Sequence, residues 1–111
     1  MDLINLAYDT LKETSLPVSH LTRPENIPGL SYYFLGSKPT LYGDGIARRE
    51  ERECQVDLWA KNANFGDYPE KIIALMRRAG FRYVREDFDI ERSAGVYRKS
   101  LIFLIDYNVE V

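Results

Sequence analysis

Ile46–Lys61, IARREERECQVDLWAK, is the stretch whose reading decides the fold. Its second half alternates cleanly. Cys54, Val56, Leu58 and Ala60 point one way and Gln55, Asp57 and Trp59 the other, the two-residue period of a half-buried strand. Its first half, Arg48-Arg49-Glu50-Glu51-Arg52-Glu53, is charged on both sides of any strand. A strand that leaves its own core and runs on as charged ribbon makes physical sense when the protruding part meets another molecule.

Upstream, Ser31–Leu35 reads as a short strand without a polar side. Lys38-Pro39 and the turn dipeptide Asp44-Gly45 then predict a long hairpin into the ribbon. Before it, Asp2 can cap a helix whose broad apolar stripe is Leu3, Leu6, Ala7 and Leu11 with Ile4 and Tyr8, ending near Glu13–Ser15. Val18–Leu30, with Arg23-Pro24 and Pro28-Gly29, reads as irregular.

Downstream, Asp67 and Glu70 form a capping-box-like pair around Pro69. Ile72, Ile73, Leu75, Met76 and Ala79 supply the buried stripe of a second helix, and Gly80 offers a left-handed cap. Phe81–Ile90 is a strand whose imperfect alternation allows a bulge. Ser93-Ala94-Gly95 turns into a final strand, Val96–Tyr107. These elements predict one α+β domain over residues 1–111, with a mainly antiparallel sheet of four to five strands, two helices in the order helix, strands, helix, strands, and one long protruding hairpin.

Tyr97, Leu101, Phe103, Ile105 and Tyr107 share one side of the last strand, yet Ile102 and Leu104 make the other side apolar too. Trp59 falls on that second side. Either one helix covers each face, or both helices share a face and neighbouring copies cover part of the other. The ribbon favours the second arrangement. Trp59, Ile102 and Leu104, with Arg48, Arg49, Arg52 and Glu50, are then the candidate subunit or partner contacts, Trp59 from the solvent side.

The chain has 111 residues, 45% of them apolar and 29% charged, and a net charge of -2 that gives no general attraction to nucleic acid or anionic membrane. Cys54, the sole cysteine, sits on an apolar strand face, so no internal disulfide forms and a reducing compartment fits. No run approaches the roughly 18 apolar residues of a membrane span, and no signal-peptide pattern opens the sequence, so synthesis in the cytoplasm is expected.

No catalytic constellation stands out. His20 is the only histidine and lies in the Pro-rich stretch, which leaves a His-based metal site or triad without partners. Asp57 and Lys61 lack the tight spacing of a metal-dependent nuclease. No catalytic, metal or cofactor residues are assigned. A nucleic-acid module would use Tyr32, Tyr33 and Phe34 for stacking and Arg48, Arg49 and Arg52 for phosphates, although Glu50, Glu51 and Glu53 neutralise those arginines. A small binding module remains a further alternative.

In order along nearly the whole chain, several features carry a resemblance. They are the short N-terminal helix, the Arg23-Pro24 to Pro28 loop, the Tyr32-Tyr33 strand and Gln55-Val56-Asp57-Leu58-Trp59. Met76-Arg77-Arg78-Ala79-Gly80-Phe81 and the strand Tyr97–Phe103 complete the set. The chain resembles the small tail-completion proteins of long-tailed bacteriophages and prophages, also called tail terminator or tail-to-head joining proteins. That resemblance implies a non-enzymatic virion component, made in the host cytoplasm and placed at the head-proximal end of the tail. Copies would form a six-fold ring there, stop growth of the tail tube and present a surface to the head connector. Its partners would be its own copies, the tube protein and the connector, with no membrane and no direct sequence-specific nucleic-acid binding. Head-completion and neck proteins of similar size are the neighbouring alternative.

Overall fold

The computed structural model describes residues 2–43, 46–91 and 95–108, with Tyr42, Ile46, Ala47, Arg48 and Glu91 described by backbone alone. The Asp44-Gly45 and Ser93-Ala94 turn positions lie outside the described residues. The element order is α1 (Leu3–Lys12), β1 (Val18–His20), β2 (Gly29–Gly43), β3 (Ile46–Ala60), α2 (Tyr68–Arg78), β4 (Arg82–Glu91) and β5 (Val96–Asn108).

The strands form one sheet in the order β1-β2-β3-β5-β4. β1 runs parallel to β2, pairing Val18 with Leu30 and His20 with Tyr32, whereas the other neighbours are antiparallel. The sheet is therefore mixed, which corrects the expectation of a mainly antiparallel one. The cause lies in the segment read as irregular. Its first residues add a short edge strand, and residues 21–28 must then carry the chain back to the start of β2, which leaves the two strands pointing the same way.

β2 is also far longer than Ser31–Leu35, since Gly29–Gly43 pairs along β3. Register shifts between Leu35 and Lys38 and again around Leu41 absorb Gly36, Ser37 and Thr40, while Pro39 pairs with Glu50. β1 reaches only to Tyr32, so Pro39 sits on the outer edge of the sheet, where a missing N–H is tolerated.

Local chemistry fixes the helix ends. Asp2 Oδ1 accepts from the Asn5 N–H at 3.1 Å, capping α1. Asp67 precedes α2 but its side chain makes no capping bond, so the capping box read at Asp67 and Glu70 does not form. Pro69 still occupies the first turn. At the other end Gly80 adopts φ 108 and the Phe81 N–H reaches the Met76 carbonyl at 2.9 Å, a left-handed close that favours glycine.

Both helices lie on one face. Leu3, Ala7 and Leu11 of α1 and Ile72 and Met76 of α2 join Leu30, Tyr32, Cys54, Val56, Leu58, Leu101 and Phe103 in one buried cluster. By strand alternation those sheet residues share a side. Tyr32 ties the layers together, its hydroxyl donating to the Ile4 carbonyl at 3.0 Å. The molecule is elongated, 52 × 25 × 21 Å, because β2, β3 and β5 continue past the helices.

Candidate functional site

The face without helices carries Trp59, Ile102, Leu104 and Arg49 by alternation, whereas Glu50 and Arg52 fall on the helix-covered side. The central row of the helix-free face is Ser31, Asp57, Ser100 and Asp87, flanked by Tyr33, Gln55, Ile102 and Arg85 on one side and by Trp59, Arg98 and Asp89 on the other. The centre is polar and closed on itself. Asp57 is only 4% exposed, and its Oδ1 accepts from Ser100 Oγ at 2.6 Å and from Gln55 Nε2 at 2.9 Å. A buried carboxyl group is tolerated when such donors face it. Nearby, burial pushes the Tyr33 hydroxyl pKa up, with the Asp57 charge adding to the effect.

Trp59 is not a solvent-side residue, and that expectation is corrected: it is 6% exposed. Arg23, from the returning segment 21–28, places its guanidinium 5.7 Å from the indole centroid. Arg98 lies at the same distance, and the indole N–H donates to Ser31 Oγ at 2.9 Å. The period-two pattern gave the correct side for Trp59. It carried no information about a loop that folds over that side. Gly29 permits this return, since a Cβ there would sit 2.5 Å from the Asn26 carbonyl oxygen and 2.7 Å from Pro24 Cγ.

Ile102 is 1% exposed, filled in between Gln55 and Arg85 of the neighbouring strands. Leu104 differs. It is half-buried and lines an open depression of about 350 Å³ with Leu35, Lys38, Glu51 and Glu53. Of the three apolar residues expected to meet a partner, only Leu104 is therefore placed to do so.

The ribbon residues are largely paired within the chain. Arg49 donates to Asn108 at 2.9 Å and lies 3.7 Å from Asp106. Glu50 accepts from Ser37 and from the Tyr107 hydroxyl, each at 2.9 Å. Burial first, and that bond second, push the Tyr107 pKa up. Arg52 lies 5.3 Å over the Phe34 ring, and Glu51 meets Arg82 at 3.6 Å. The Arg48 side chain lies outside the described residues.

The stacking platform expected of a nucleic-acid module does not assemble. Tyr32 is buried under α1, Phe34 packs on Phe81 beneath Arg52, and Tyr33 is on the opposite face. His20 stacks 5.0 Å from the Tyr32 ring. Among the described residues no three His, Cys, Asp or Glu side chains group to hold a metal ion, and no helix is long and apolar enough to cross a membrane. A second cavity of about 260 Å³ opens at the other end of the sheet, walled by Pro28, Leu58, Phe65 and Tyr68 under Lys61 and Asn64.

No family model and no curated protein matches the chain.

Sequence reasoning missed two features, the Asp57–Ser100–Gln55 network and the Leu35–Leu104 depression. Asp57 inside the otherwise apolar run of β3, opposite Ser100 in β5, was the available signal for the first. The second depends on the full length of β2, which Gly36 and Pro39 disguised.

Proposed function

We infer that this protein is a structural assembly subunit of a bacteriophage tail. It caps the head-proximal end of the tail tube as a ring and joins tail to head. The observation that carries the reading is the one-sided sheet. Two helices cover one face, while on the other face the extended β2–β3–β5 end around Leu35 and Leu104 stays open to contacts between molecules. Leu35 and Leu104, rimmed by Glu51, Glu53 and Lys38, supply an apolar centre with a charged border, the usual anatomy of a protein contact. A ring needs two different complementary patches on each subunit. The depression serves as one and the hairpin end as the other. The resemblance in the order of sequence features supports the same role.

Electron microscopy of tails assembled with and without the protein tests this. With it, tubes should have one length and carry heads. Without it, they should overgrow and stay headless. Uniform, head-bearing tails in its absence would reject the role.

A further inference from the structure

β4 ends the sheet, and its outer side meets no strand among the described residues. Three of the large apolar side chains left in solvent lie on it: Val84, Phe88 and Ile90, at 41%, 52% and 38% exposure. An open edge carrying apolar side chains is a template for another strand. The opposite edge is poorly suited to that role, because β2 carries Lys38-Pro39 and several register shifts.

The β4 sequence is complementary to itself. Val84 is a bulge, since Tyr83 pairs with Phe103 and Arg85 with Ile102. The side-chain alternation therefore resets across it. Tyr83, Glu86, Phe88 and Ile90 share the helix-covered face, and Arg82, Arg85, Asp87 and Asp89 share the other.

We propose that β4 pairs antiparallel with β4 of a second copy of this chain, about a two-fold axis through Glu86, to make one continuous ten-strand sheet. With both Val84 bulges left unopposed, same-face residues meet directly. Tyr83 faces Phe88, Arg85 faces Asp87, and Arg82 faces Asp89, each twice. Aromatic and opposite-charge pairs are the favourable cross-strand contacts. Arg85 already lies 3.8 Å from Asp87 within its own strand, so the dimer extends that pair into an alternating four-charge row. The single like-charge contact is Glu86 with its symmetry mate. Lys99, 3.7 Å from Glu86 in each copy, offsets it. A pattern that reads the same from both directions favours a second copy over an unrelated strand.

This contact goes beyond the assembly reading. It closes on two copies and uses neither the ribbon nor the Leu35–Leu104 depression. A ten-residue edge is a small interface, so a dissociation constant on the order of 10 μM is expected.

Native mass spectrometry and sedimentation of the full chain should find a dimer near that concentration. Arg85→Asp alone sets carboxylates opposite one another, and Asp87→Arg alone sets guanidiniums opposite. Each variant should stay folded and dimerise at least about tenfold more weakly. An equimolar mixture should recover the dimer as the mixed species, because only that combination restores both facing pairs. A Glu86→Cys variant should cross-link to itself on mild oxidation, whereas Arg78→Cys on α2 should not; Cys54 is buried and does not compete. A wild-type chain that stays monomeric at about 100 μM, a mixture that stays monomeric, or a Glu86→Cys variant no quicker to cross-link than the Arg78→Cys control would each overturn the proposal. A chain that fails these tests yet still terminates tails loses the dimer alone.

Discussion

Trp59 joins two β-strands and a loop through its indole. It bonds to Ser31 on β2, stacks near Arg98 on β5 and lies under Arg23 of the returning segment. Trp59→Ala should therefore damage folding directly, by roughly 3–5 kcal/mol, measurable as a drop in denaturant midpoint. An undiminished midpoint would mean that the loop does not seal the indole. Cys54 makes a second point at this scale. Burial pushes its thiol up to about 12 from the ordinary 9.0, so the folded chain keeps a proton that the unfolded chain releases. Its contribution to stability is complete below about pH 9 and is lost as pH rises toward 12. Tyr32, Tyr33, Tyr83 and Tyr107 are raised as well and act in the same direction. Melting temperatures between about pH 8 and 11 should fall less steeply in Cys54→Ala than in the wild type, from a starting stability lower by about 1 kcal/mol. Equal slopes would exclude a share for the thiol.

At the scale of the element, the ribbon of β3 was legible as charged and two-sided, and its alternation places Arg49, Glu51 and Glu53 opposite to Glu50 and Arg52. Its partners were not legible, because Asp106, Tyr107 and Asn108 are about sixty residues away in sequence and become neighbours only through the β3–β5 register. Exposed ion pairs of this sort contribute about 0–1 kcal/mol. Reversing Arg48 and Arg49 to Glu should thus leave melting almost unchanged while blocking the joining of heads to tails, read as the yield of infectious particles. A normal yield would remove the ribbon from the contact. The bulge at Val84 and the Gly80 cap were both foreseeable from local sequence, since imperfect alternation and a glycine after a helical stripe have local causes. The Asp67 cap was not. Its side chain had the right identity and position, but the helix begins without its bond.

Across the whole molecule, the two helices and the run of β3 and β5 could be read from periodicity, because each is set by spacing along a single segment, whereas periodicity left open whether the helices share a face. The parallel β1 escaped notice, since three residues are too few for a period to show and the pairing depends on where residues 21–28 carry the chain. The second face looked apolar from β5 alone. It proved mixed, because Asp57, Gln55 and Ser100 meet there from two strands, and a loop from a distant part of the chain closes over the indole. The 52 Å long axis has its own consequence. At the helical end the central strands are held by the buried cluster under α1 and α2, while nothing from Leu35 to Leu41 or from Arg49 to Glu53 is fully buried. Resistance to opening is thus graded from one end of the molecule to the other. The far end should therefore open more readily than the helical end, read as faster amide exchange from Leu35 to Leu41 than from Leu30 to Tyr32.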